Sequence, residues 1–178
     1  MSAHPPSPAH VLHLVRRTLQ SLRSRPLSPA EVSEVAGVLD GELAALFWSQ
    51  PVIDQRHAYA SARFVKSRRP GDDRLLQAAL LHDIGKRHAR LGVGGRILAT
   101  VLALLRAPAP GRLGVYLDHP ARGADDLAAA GADALVVAYA RHQDDDRPAA
   151  IPEEAWAILK AADDEKHRLN GQSQYDGP

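Results

Sequence analysis

Apolar residues fall in clusters spaced three and four apart along this chain, and no alternation of apolar and polar positions lasts for six residues. The first pattern builds amphipathic helices; the second, which is missing, is the one half-buried strands need. A first amphipathic helix fits about residues 9–24. The next begins at a capping box, with Ser28 as N-cap, Pro29 at the first helical position and Glu31 two residues further on, and runs to about Trp48. Pro51 opens a third helix carrying Asp54, His57, Tyr59 and Phe64, which stops before Pro70-Gly71. Asp72 or Asp73 caps a fourth, LLQAALLHD, with Gly85 as its C-terminal stop. Gly92, Gly94 and Gly95 precede a helix, RILATVLALL, after which Pro108, Pro110 and Gly111 break the chain. Pro120 takes the first position of another helix that ends at Gly131, and ALVVAYARH is a short one. Pro148 and Pro152 separate it from a last helix over about 152–169. The apolar faces nominate Phe64, Leu76, Leu80, Leu81, Leu98, Leu102, Val136, Val137, Ala140 and Leu159 for the core, with Phe47-Trp48 and Trp156 as aromatic anchors.

Composition agrees. Ala and Leu dominate, while Thr occurs twice and Ile five times, so β-forming residues are scarce. The expectation is one all-α domain in 178 residues: a disordered, Pro-rich stretch over 1–9, N-terminal helices over 10–50, a main helical unit over 51–169 and a loose tail over 170–178. The chain has no cysteine, which excludes disulfides, thiolate metal sites and cysteine nucleophiles. A net charge of +1 offers no general attraction to nucleic acid. The apolar stretch Ile97–Leu105 is too short to cross a bilayer, and Val11–Val15 is interrupted by His13 and stopped by Arg16 and Arg17, unlike a signal peptide. A cytoplasmic protein without a membrane partner is expected.

The strongest local chemistry is His82-Asp83-Ile84-Gly85-Lys86, set directly after the apolar run AALL. An imidazole and a carboxylate buried side by side need a compensating charge, and a divalent metal supplies one. His57, His119, His142 and the pair Asp163-Asp164 lie on or beside four further predicted helices. Convergence of such residues from several helices is how helical bundles hold metals. His4, His10, His13 and His88 read as solvated; His167 shares a helix face with Asp163 and reads as a surface or outer residue. The glycines at 92, 94 and 95 read as a turn, since no strand precedes them and Ile97 stands where a dinucleotide fingerprint needs its third glycine.

This set resembles the HD superfamily of metal-dependent phosphohydrolases, whose signature is a histidine, a His-Asp pair and a final aspartate on a five-helix core. Here these are His57, His82-Asp83 and Asp163, and the resemblance spans about residues 50–168. His119-Pro120-Ala121-Arg122-Gly123 is similar to the HPxxG element of the HD-GYP phosphodiesterases, with His142 in the place of their next ligand. Their following histidine and glutamate are replaced by Gln143 and Asp144, and their GYP loop is absent. The resemblance implies a divalent centre, with two ions held by His57, His82, Asp83, His119, His142 and Asp163. It implies Asp83 and Lys86 in catalysis, Lys86, Arg122 and Arg141 on the substrate phosphate, and a nucleotide-like phosphoester as substrate. The alternative is an HD fold that has lost catalysis and serves as a binding module.

Overall fold

The computed structural model describes residues 25–164, and among them there are helices and no strands. The expected helix over 9–24, the disordered start, the loose tail, His4, His10, His13 and His167 lie outside the described residues. The helices are α1 (Pro29–Ala36), α2 (Gly41–Trp48), α3 (Val52–Arg68) and α4 (Asp73–Leu81), then a 3-10 segment (Ile84–Ala89). After it come α5 (Val93–Leu104), α6 (Arg112–Leu117), α7 (His119–Ala129), α8 (Ala134–His142) and α9 (Glu153–Asp164). The described chain is a single all-α domain.

α4 is the hub, packed against α2, α3, α8 and α9. Its sequence explains why. Leu75, Leu76, Ala78, Ala79, Leu80 and Leu81 are all buried, so nearly every face is apolar, and the alanines let neighbours approach closely. Each fully buried leucine contributes about 2 kcal/mol of transfer free energy. Phe47, Leu127, Val136, Tyr139 and Leu159 complete the core around it. Asp72 caps α4 by accepting from the Leu75 N–H at 3.2 Å. Because the hub ends at Leu81, the His82-Asp83 pair emerges from the middle of the core rather than at its surface.

Several local readings are corrected by tertiary context. The helix expected over 28–48 is two, since the chain turns at Gly37 and Gly41 to drive Leu39 into the core. The Ser28–Glu31 capping box is present, Ser28 N–H donating to Glu31 at 2.7 Å. Gly85 does not stop α4; the helix closes at His82 and the chain continues as the 3-10 segment. The glycines at 94 and 95 lie inside the first turn of α5, and α6 was not anticipated. Leu98 is 48% exposed and Leu102 half-buried, because α5 packs mainly on α6 and none of the described residues covers its outer face. Trp48 is likewise exposed, resting edge-on against the buried Phe47.

Candidate metal centre

His57 sits on α3, His82 and Asp83 follow α4, His119 begins α7, and Asp163 lies near the end of α9. All five are brought together. His57 Nε2 and His82 Nε2 each lie 3.6 Å from Asp83 Oδ2. Asp163 Oδ1 faces the same two nitrogens at 3.2 and 3.7 Å. The other Asp83 oxygen, Oδ1, lies 3.3 Å from His119 Nε2. His57, His82 and Asp83 are buried, with ligating atoms all within 4.8 Å of one another, which makes them a group able to hold a metal ion. Asp164 is exposed; of the two neighbouring aspartates, Asp163 is the one turned inward.

Two of the imidazoles have their outward nitrogens tied to backbone. His82 Nδ1 is 3.0 Å from the Ala79 carbonyl and His119 Nδ1 is 2.9 Å from the Tyr116 carbonyl. A carbonyl only accepts, so both Nδ1 atoms carry the proton and both Nε2 lone pairs point at carboxylate oxygens. Lone pair facing carboxylate is repulsive unless a proton or a cation lies between. His82 Nε2 is buried and makes no hydrogen bond among the described residues. Ligands about 2.0–2.2 Å from an ion stand about 3.0–3.5 Å from each other in tetrahedral or octahedral geometry. The nitrogen–oxygen separations here are close to that range, so the donor set fits a divalent ion.

Charge is balanced from the protein side too. Burial alone would raise the Asp83 carboxyl, but Lys86, His82 and His119 outweigh it and hold the group well below its usual value. Lys86 Nζ donates to Asp83 Oδ2 at 2.5 Å. Burial likewise opposes ionisation of Asp163, and His57 and His82 overcome it. For His82, burial would lower the pKa, but Asp83 and Asp163 raise it above the usual imidazole value.

Linkage then fixes the signs. In metal-free protein the raised His82 contributes stability that is present at low pH and is lost as pH rises through its folded pKa. A metal needs that imidazole neutral, so ion and proton compete. The gap in melting temperature between metal-loaded and chelated protein is expected to widen from about pH 6 to about pH 8.5. A constant gap in thermal scans across that range would count against His82 as a ligand.

The remaining expected residues make their own pairs. His142, at the end of α8, is partly exposed, and its Nδ1 faces Asp145 at 3.6 Å. Arg122 pairs with Asp118 and Arg141 with Asp125, both at the surface. His88 pairs with Asp126 at 2.7 Å, in keeping with a solvated residue.

Two positioning groups escaped the sequence reading. Asp54, one turn before His57 on α3, holds Arg96 of α5 through two hydrogen bonds of 2.6 and 2.7 Å. Both side chains are largely buried, and breaking such a pair typically costs about 3–5 kcal/mol. The signal was available, since an aspartate three residues from a ligand histidine shares its helix face. Gln143, read only as a missing histidine, is buried and donates to the His82 carbonyl at 2.8 Å. Its own carbonyl accepts from Lys160 on α9 at 2.6 Å, so it ties α8 and α9 to the His-Asp turn.

The chain matches no family model, no curated protein and no solved structure. Among the described residues no helix is long and apolar enough to cross a membrane. A cavity of about 370 Å³ lined by Val35, Val38, Tyr59, Leu76 and Leu80 among others contains none of the cluster residues. Another of the same volume has Lys86 in its wall and so adjoins the cluster.

Proposed function

We propose that this protein is a metal-dependent phosphohydrolase of the HD type, acting on a nucleotide-like phosphoester. The observation that carries the reading is the buried His57–His82–Asp83 group, with Asp163 closing it from a third segment and His119 facing Asp83 from a fourth. Four separate segments bring acceptor atoms to one point, and two of the outward ring nitrogens are anchored to carbonyls. That construction suits ligands, whereas a solvated polar cap needs none of it. A bound divalent ion lowers the pKa of a coordinated water and polarises phosphoryl oxygens. Asp83 orients the centre, since one carboxylate oxygen faces His57 and His82 and the other faces His119. Lys86 holds a fixed positive charge beside that carboxylate, where charge develops on the phosphoryl oxygens. His119 on Asp83 Oδ1 supports a second ion, with His142 as a further ligand if the end of α8 turns inward.

The test is elemental analysis and a nucleotide and dinucleotide hydrolysis panel with Mn, Fe, Co, Ni and Zn. His57→Ala is expected to empty the centre. His119→Ala is expected to lower the content from about two ions to about one and to slow hydrolysis at least roughly 100-fold. His142→Ala is compared alongside. If both single variants keep wild-type metal and turnover, the centre holds one ion. A protein that takes up no metal and hydrolyses nothing on the panel is the binding module instead.

A further inference from the structure

The cavity that adjoins the cluster has an unusual wall. Lys86, Arg87, Arg90 and Arg96 line it together with Ser49 and Gly92, and among the described residues no carboxylate does. Asp83 pairs with Lys86, Asp126 with Arg87 and Asp54 with Arg96, but all three carboxylates stand outside the lining. Arg90 is the fourth cation; it is exposed and makes no ion pair among the described residues. Its backbone is left-handed, with φ 47°, a conformation that costs a non-glycine residue roughly 1 kcal/mol.

The start of α5 adds to this positive wall. Gly92 is its N-cap and supplies no side-chain hydrogen bond, so the first-turn N–H groups lack a side-chain acceptor there. A Cβ at Gly92 or Gly94 would meet nothing within 4 Å, so packing does not demand glycine at either position. What their bareness does provide is open access to backbone N–H donors at the positive end of a helix twelve residues long.

Lys86 joins the two places, its Nζ on the Asp83 carboxylate and its side chain in the cavity wall. One phosphoryl group at the metal ligands would meet Lys86 and still leave Arg90, which has no ion pair among the described residues, and the helix end facing the cavity without an anion. We infer that the cavity seats a phosphate other than the one hydrolysed, so that the substrate is a small molecule carrying a di- or triphosphate chain. The substrate assignment rests on the phosphohydrolase reading; anion binding by the cavity does not.

Titration of the full chain with tripolyphosphate and with orthophosphate, in chelator, tests the cavity by itself. Tripolyphosphate is expected to bind at least about tenfold more tightly, with an affinity that falls as salt rises. Arg90→Ala is expected to weaken it about tenfold or more with no change in the melting curve. Gly94→Asp should act in opposite senses on the two readouts: weaker tripolyphosphate binding from the added carboxylate, and an equal or higher melting temperature from an acid in the first turn. Equal affinity for the two anions, or wild-type affinity in both variants, would overturn the inference. With metal present, Arg90→Ala is expected to raise KM for adenosine triphosphate at least about tenfold more than for p-nitrophenyl phosphate. Equal KM changes would break the link between cavity and centre. If neither compound is turned over, the hydrolase reading fails while the tripolyphosphate titration still decides the cavity.

Discussion

Asp83→Asn is expected to abolish metal uptake and, on the proposed phosphohydrolase reading, to lower phosphoester hydrolysis by at least roughly 1,000-fold, because one carboxylate faces all three imidazoles of the cluster. Its Oδ2 faces His57, His82 and Lys86, and its Oδ1 faces His119. The amide is the same size but neutral, and one of its two arms becomes a donor aimed at groups that need an acceptor. Lys86, only 16% exposed in its side chain, also loses its counter-charge. Asp164→Asn is the matched control: it removes one exposed carboxylate from the same site-bearing helix end and is expected to retain metal and turnover. Elemental analysis and steady-state rates on both variants decide it. Equal retention in Asp83→Asn would remove the centre from the mechanism.

Gly85→Ala is the other large effect, and it acts through the backbone. A Cβ there would stand 2.0 Å from the His119 carbonyl oxygen and 2.7 Å from the Gly123 nitrogen. Neither atom belongs to a side chain that can swing away. Gly123 reciprocates, since a Cβ on it would stand 3.1 Å from Gly85 N. The 3-10 segment and α7 therefore meet backbone to backbone, and one methyl group must push them apart. A loss of about 3 kcal/mol or more is expected, together with displacement of His119 from Asp83. Gly94→Ala, in open space within α5, is expected to be neutral or stabilising by up to about 1 kcal/mol. Denaturant unfolding of the two variants checks this; equal stability would mean that the close approach of Gly85 to α7 is not tight.

Much of the helical framework was legible because its signals are local. The Ser28 box, Asp72 as a cap, and the bounds of α8 at Ala134 and His142 each depend on residues within a few positions of one another. The errors arise where a distant neighbour decides. Leu98 looks like a core residue from its own sequence, yet among the described residues no element covers that side of α5. Gly85 looks like a helix stop, yet its lack of a side chain serves α7, more than thirty residues away.

The ligand candidates show the same division. Residue types and spacing singled out His57, His82, Asp83, His119, His142 and the pair Asp163-Asp164, because imidazoles and carboxylates bordering apolar helical runs are costly without a partner. Spacing alone left Asp163 and Asp164 as alternatives, and the structure turns Asp163 inward. That choice belongs to helix rotation: a shift of one residue turns a side chain by about 100° around the axis, enough to carry Asp164 to solvent while Asp163 faces the imidazoles. The roles of Gln143 and the Asp54–Arg96 pair were hidden for a related reason, since each bonds a residue 42 or more positions away.

The sequence by itself determined that this chain is helical, where most of its helices begin and end, and which residue types could form a metal centre. Caps, apolar period and side-chain chemistry are properties of short segments, and they hold wherever those segments lie. Only the tertiary structure decided which of those residues meet, that one carboxylate lies between three imidazoles, and that four cations share one cavity wall beside it. Those are distances of a few ångströms between remote segments, and they are set by how closely helix backbones can approach, which at Gly85 and Gly123 depends on the absence of a single carbon atom.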